Sequence, residues 1–189
     1  MSKLKKISDL DLYILNTKDP KPEEVPLVEK AYKLWLTSWE FTFRSQNVDI
    51  GKRLYSDDFL DRDVMALFYN GEPVALTFVK WFTPRKSQLD HSYFKHYPQS
   101  VIDHIKSMGN KRWMLSSYIT CVPEWRKRFT DISLTEVMFS LSVKIFEKSK
   151  ASYFIGYIRK DNDFHEVFYR HAGIKLGENN VYNSEVDYV

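Results

Sequence analysis

The run Asn162-Asp163-Phe164-His165-Glu166-Val167-Phe168-Tyr169 sets an amide, an imidazole and a phenol close together. At helical spacing His165 and Tyr169 lie one turn apart and share a face. An imidazole takes or gives a proton near neutral pH. A phenol ordinarily holds its proton to about pH 10 and can donate it to a departing thiolate. Phe164, Val167 and Phe168 form the core-seeking side, and Tyr169 stands beside that stripe, so its hydroxyl can face a cleft. A tyrosine that only packs its ring, and a surface or packing histidine, fit the same pattern.

A second stretch concentrates positive charge. Arg126-Lys127-Arg128 stands between a strand, predicted over Arg112 to Val122, and a helix predicted over Asp131 to Lys148. Thr130, Asp131 and Ser133 can each cap that helix, and Ser133 with Glu136 matches a capping box. A helix N-terminus with arginines beside it suits a phosphate. A solvated basic turn is the plainer alternative. Further candidates are single residues. Glu40, on the first long helix, is a candidate general base, and His91 is a weaker one. Cys121, at the strand end, fits a small buried hydrophobe better than an acyl-carrying nucleophile.

The elements that must position these groups alternate. Asp11 to Asn16 reads as a strand. Val28 to Phe43 has apolar residues at helical spacing. Val64 to Tyr69 and Pro73 to Phe82 read as strands joined at Asn70-Gly71, a strong hairpin signal because both residues accept positive φ. A helix is predicted over Gln99 to Met108. After the helix Asp131 to Lys148 come a strand over Ser152 to Ile158, a helix over Asn162 to His171 closed by Gly173, and strands over Ile174 to Leu176 and Ser184 to Val189. The strands before and after the Asp131 helix should be parallel. The end of the strand at Val122 is then the switch point at which open α/β sheets bind ligands.

The bulk numbers narrow the classes. A length of 189 residues fits one domain, 1–189, with a sizeable core, and 43% hydrophobic residues exclude a disordered chain. No apolar run reaches the roughly 18 residues of a spanning helix, and Met1 to Lys6 lacks the apolar stretch of a signal peptide. A single cysteine excludes an intrachain disulfide and four-cysteine zinc sites. A cytoplasmic protein without a metal is expected. A net charge of +3 is no nucleic-acid footprint by itself, but it suits an anionic small ligand or an acidic partner protein.

Asn162 and Tyr169, with Gly173-Ile174 beyond them, resemble the late motif of the GNAT (Gcn5-related N-acetyltransferase) superfamily, in which Asn, seven residues on Tyr, and then a Gly-Phe pair recur. Val122-Pro123-Glu124-Trp125-Arg126 resembles the entry to that family's pyrophosphate loop, and the hairpin Val64 to Phe82 its second and third strands. The resemblance covers roughly Asp9 to the C-terminus. It implies an α/β (α+β) GNAT fold with a central mixed, mostly antiparallel sheet flanked by helices. It implies an acyltransferase that moves an acyl group from acyl-CoA, or from the phosphopantetheine of an acyl carrier protein, directly to an amine acceptor. Arg126, Lys127 and Arg128, with amides up to Ser133, would hold the donor's phosphates, and Asn162 the pantetheine or phosphate region. Tyr169 would be the general acid, and a backbone N–H of the strand ending at Val122 would polarise the thioester carbonyl. The base stays open between His165 and Glu40, with His91 weaker.

The loop departs from the family in having no glycine: Phe129, Thr130, Asp131 and Ser133 stand where glycines bring the backbone close to pyrophosphate. The layout is also similar to N-acyl amino acid synthases and acyl-homoserine-lactone synthases, relatives that use acyl carrier proteins. A catalytically inactive GNAT-fold module that binds a ligand or protein is the alternative. Another is a nucleic-acid- or protein-binding module using Trp81, Arg85, Lys86, Trp125 and Arg126.

Overall fold

The computed structural model describes residues 7–52, 54, 56–89, 92–125, 133–171, 173–181 and 183–189. Strands β1 (Asp11–Asn16), β2 (Asp63–Tyr69), β3 (Glu72–Phe82), β4 (Trp113–Cys121) and β5 (Tyr153–Ile155) stand in that order in one sheet. β1 with β2 and β2 with β3 are antiparallel, and β4 with β5 is parallel. Helices α1 (Val25–Ser45), α2 (Ser56–Leu60), α3 (Lys86–Leu89), α4 (Gln99–Ser107), α5 (Leu134–Lys148) and α6 (Asp163–Arg170) complete a mixed α/β architecture, with three further strands in a second small sheet. No described helix is long and apolar enough to cross a membrane. The residues gather into two compact units, one within Met1–Val79 and Ser117–Leu141, the other within Lys80–Ser116 and Ser142–Val189.

The first unit has an aromatic core. β2 reads Val64-Met65-Ala66-Leu67-Phe68 without a polar residue, and all five are buried, as expected of a strand covered on both faces. Asn70 and Gly71 take φ of 50° and 74°, the paired left-handed values of a tight hairpin turn. Helix α1 turns Val28, Ala31, Trp35 and Phe43 inward at spacings of three, four and eight residues. It starts three residues earlier than its apolar stripe predicts, because Pro26 suits a first helical turn. It also ends later. Val48 N–H donates to the Phe43 carbonyl and Asn47 N–H to that of Arg44. With Asn47 at φ 54° this is a Schellman cap. Trp35, fully buried, meets the rings of Tyr32, Phe59, Phe78 and Tyr118 at centroid distances of 5.5 to 5.8 Å.

The second unit has its own core, built from Val101 and Ile105 of α4, Trp113 and Leu115 of β4, Ile155, Val186 and Tyr188. Two expected elements differ here. The strand predicted over Ser152 to Ile158 is broken at Gly156 into β5 and β6 (Tyr157–Arg159). Gly156 exchanges both backbone hydrogen bonds with Val189, at 3.0 and 3.1 Å. A Cβ there would lie 3.1 Å from the Ser116 carbonyl oxygen, so glycine lets the chain leave one sheet and join the other. The strand predicted over Ile174 to Leu176 is instead β7 (Gly177–Val181), and Ile174 is exposed. β-propensity favoured the apolar residues, but pairing with β8 (Ser184–Tyr188) sets the register, Gly177 opposite Tyr188. The strand order is β6-β8-β7.

Gly173 is also not the predicted left-handed cap: its φ is not positive, and α6 ends at Arg170 with His171 as its C-cap. Its lack of a side chain has another cause. A Cβ there would fall 1.5 Å from the Phe168 ring.

Candidate functional site

In the first unit, β4 is irregular at its middle. Tyr118 has φ of 56°, rare for a non-glycine residue and rarer inside a strand. Packing holds it there. Its ring lies 4.8 Å from that of Trp39, edge to face, and 5.1 Å from that of Phe78. Trp39 Nε1 donates to Thr120 Oγ1 at 2.9 Å, and that hydroxyl donates to the Tyr118 carbonyl. The turn of α1 that carries Trp39 also carries Glu40, half-buried, whose carboxylate makes no ion pair or hydrogen bond among the described residues.

Val122 N–H donates to the Val74 carbonyl at 2.9 Å. That N–H is occupied, so a carbonyl polarised by this strand would need another donor. Ser133 stands one residue before α5, and its carbonyl accepts the N–H of Val137, as an N-cap carbonyl does. The described part of the predicted Asp131 helix begins at Leu134. Arg126, Lys127, Arg128 and His91 lie outside the described residues. Cys121 is buried, with its sulfur 3.7 Å from Thr135 Oγ1.

In the second unit, α6 positions three of the candidate residues. Asn162 is its N-cap, with φ −112° and ψ 135°, and its side-chain oxygen accepts the Phe164 N–H at 3.0 Å. The amide therefore has a structural duty before any ligand. Phe164 and Val167 are buried. His165 and Tyr169 share the next face, ring centroids 4.8 Å apart. Both reach one atom, Oδ2 of Asp187, the imidazole Nε2 at 3.0 Å and the phenol oxygen at 2.9 Å. Asp187 lies in β8, opposite Ile158 of β6 and Glu178 of β7, and is only 3% exposed. Its other oxygen meets Lys175 Nζ at 3.1 Å and Lys160 Nζ at 3.9 Å. Those lysines also hold Glu178, at 2.6 and 3.1 Å, and Lys160 holds Glu185 at 3.2 Å.

The charges explain the proton affinities. Burial alone would raise the Asp187 pKa, but the hydrogen bonds from His165, Tyr169 and Lys175, with the Lys175 charge, hold it below the usual carboxylate value. Burial, then the hydrogen bond to Asp187 and its negative charge, pushes Tyr169 up to about 12. Lys175 is raised to about 12 by its hydrogen bonds to Glu178 and Asp187. Among the described residues no group of three or more His, Cys, Asp and Glu could hold a metal ion.

Asp187 was not among the residues singled out from the sequence. A faint signal exists. In Ser184-Glu185-Val186-Asp187-Tyr188, Val186 and Tyr188 alternate with Glu185 and Asp187, so Asp187 faces away from the core of the sheet. Only the packing of α6 against that face makes it a buried partner.

Several solved structures share this architecture. FeeM, an N-acyl amino acid synthase from uncultured soil microbes, superposes with a TM-score of 0.61 at 14% identity, over 95% of this chain and 87% of that one. Arabidopsis thaliana NAA60, solved in complex with acetyl-CoA, gives 0.55 at 12% identity, over 95% and 96%. An acetyltransferase of the GNAT family from Streptococcus agalactiae 2603 gives 0.54 at 11%, over 95% and 93%. The chain has the GNAT fold. No protein-family model and no curated protein matches the sequence, so the assignment stands on the fold alone. The parallel pairing of β4 with β5 is the one expected of the strands before and after the Asp131 helix.

Proposed function

We propose that this protein is an N-acyltransferase that moves an acyl group from a thioester donor to an amine, by direct attack of the amine on the thioester carbonyl. The observation that carries the reading is the GNAT fold over 95% of the chain, shared with an N-acyl amino acid synthase and with a protein that binds acetyl-CoA. Arg126, Lys127 and Arg128, with Ser133 at the start of α5, supply charge and amides for donor phosphates. Asn162 offers the amide hydrogens that its capping role leaves unused. Acyl-CoA is the first donor to test. An acyl carrier protein is the second, because its phosphopantetheine asks less of a loop without glycine and its acidic surface suits a chain of net charge +3. The lone Cys121, unable to form a disulfide within the chain, fits a cytoplasmic setting.

Proton traffic falls to three residues. Glu40 and His165 are the candidate bases. Tyr169 is the candidate acid toward the leaving thiolate, and to act it must turn its O–H from Asp187 to sulfur. At a pKa of about 12 it is a far weaker acid than a thiol, ordinarily near 8.5.

Calorimetry with acetyl-CoA, a long-chain acyl-CoA and an acyl carrier protein tests the reading, followed by a thiol-release assay with a panel of amines. Micromolar binding and amine-dependent thiol release support it. Binding to none of the three rejects it. The double change Arg126→Ala and Arg128→Ala is expected to weaken donor binding, and unchanged affinity would move the donor site elsewhere.

A further inference from the structure

Granted acyl transfer, some group must take the proton of the acceptor amine, and the second unit holds a base whose orientation is set. A carboxylate only accepts hydrogen bonds. With Asp187 ionised, the Nε2 atom of His165 that lies 3.0 Å from it carries the hydrogen. In a neutral imidazole the other nitrogen, Nδ1, then keeps its lone pair. No described residue hydrogen-bonds Nδ1, and the His165 side chain is 26% exposed. The ring is held on two sides. Tyr169 lies against it edge to face at 67° and donates to the same carboxylate oxygen.

Asp187 is itself anchored. It is paired in a central strand between β6 and β7, and its second oxygen faces Lys175 and Lys160. The charged or titratable groups around the cluster are Lys160 beyond β6, Glu178 of β7, Glu185 of β8, Lys175 before β7, and Tyr169 on α6. A buried carboxylate is costly unless donors or opposite charges meet it: His165 and Tyr169 hydrogen-bond one oxygen, and the Lys175 and Lys160 ammoniums stand 3.1 and 3.9 Å from the other.

We propose that Asp187 is a positioning residue for acyl transfer: it holds His165 in the Nε2–H form and so presents Nδ1 as the base for the acceptor amine. The assignment rests on the acyl-transfer reading. In the step, the amine nitrogen forms a bond to the thioester carbonyl carbon and gives its proton to Nδ1. The C–S bond breaks, and sulfur leaves with the electron pair as thiolate. The imidazolium is stabilised by Asp187 and returns its proton to the thiolate or to water, so atoms and charge balance without an oxidant or reductant. Asp187 touches no substrate and acts through His165.

The test separates the positioning from the reaction. Long-range 1H–15N NMR of the imidazoles in the full chain, with His165→Gln to identify the resonance, is expected to show hydrogen on Nε2 and none on Nδ1. In Asp187→Asn that form should lose its dominance. With acetyl-CoA and an amine that the wild type acylates, Asp187→Asn should lower kcat about a hundredfold or more and leave KM for acetyl-CoA unchanged. Hydrogen on Nδ1 in the wild type overturns the proposal, and so does an unchanged tautomer in Asp187→Asn, or a changed tautomer with kcat intact. The wild-type spectrum alone can overturn it, so a variant that fails to fold does not shield it. A wild type that acylates no amine from any donor rejects the transfer reading and the base role with it, while the spectrum still decides whether Asp187 sets the ring.

Discussion

Arg62 in the first unit and Asp187 in the second are both buried charges, 5% and 3% exposed, accommodated by different physics. Arg62 packs against rings. Its guanidinium lies 5.7 Å from the Phe78 centroid and 5.6 Å from that of Tyr118, donates to Ser117 Oγ at 2.6 Å, and reaches Asp58 at 3.7 Å. A guanidinium keeps its charge throughout the range in which proteins fold. Asp187 is enclosed by groups that exchange protons: His165, Tyr169, Lys160 and Lys175. The first arrangement sets a guanidinium against the rings of Phe78 and Tyr118, where β4 is irregular. The second can pass a proton, and its strength depends on pH.

The largest expected effect is in the aromatic unit. Trp35→Ala removes a fully buried ring that touches Phe59, Phe78 and Tyr118, the last two being the rings that face Arg62. A loss of about 3–5 kcal/mol is expected from the lost transfer energy and the cavity. Denaturant unfolding at several pH values should give a cost that does not vary between acid and neutral conditions. A cost that changed with pH would show that the two units do not differ in the way proposed.

Asp187→Asn should behave in the opposite way. The folded pKa of Asp187 is lowered, so its contribution is present above the ordinary carboxylate value near 3.9 and is lost as pH falls toward the folded value. The variant is expected to cost about 2 kcal/mol at neutral pH, the scale of hydrogen bonds to a charged group, and to lie close to the wild type in strong acid. Parallel acid-unfolding curves for the two proteins would remove the distinction between Arg62 and Asp187.

The same contrast explains what could be read from the sequence. Strand β1 and the Asn70-Gly71 hairpin follow local rules, residue type against backbone geometry, and those rules hold where neighbours in sequence are neighbours in space. The break at Gly156 does not. Nothing near it in sequence reports that Val189, at the far end of the chain, will pair with it. Gly173 is similar: a glycine just after a helix suggests a left-handed cap, whereas here it makes room for a ring five residues back. His165 and Tyr169 were legible as a pair because four residues make a helical turn. Their shared partner was not, since Asp187 lies 22 and 18 residues beyond them in another element.

Tyr169→Phe sharpens the comparison with the smallest change. It deletes one oxygen, leaves the ring against His165 and Phe168, and keeps Asp187 in its contacts with His165 and Lys175. One hydrogen bond to a carboxylate is lost, and about 1.5 kcal/mol of stability at neutral pH, the low end for a bond to a charged group, should go with it. The alkaline side carries the sign. The folded pKa of Tyr169 is raised to about 12, so its contribution is present below the ordinary value near 10 and is lost as pH rises toward 12. Lys160 and Lys175 are also raised and lose stability in the same direction. The difference between wild type and Tyr169→Phe isolates the phenol, and it should shrink as pH rises through that window. A gap that stayed constant in alkaline solution would mean that the phenol titrates as it does in the unfolded chain and that Asp187 does not hold its proton. In a transfer assay the variant should turn over more slowly with donor affinity nearly intact. Unchanged turnover would leave His165 to carry the proton alone.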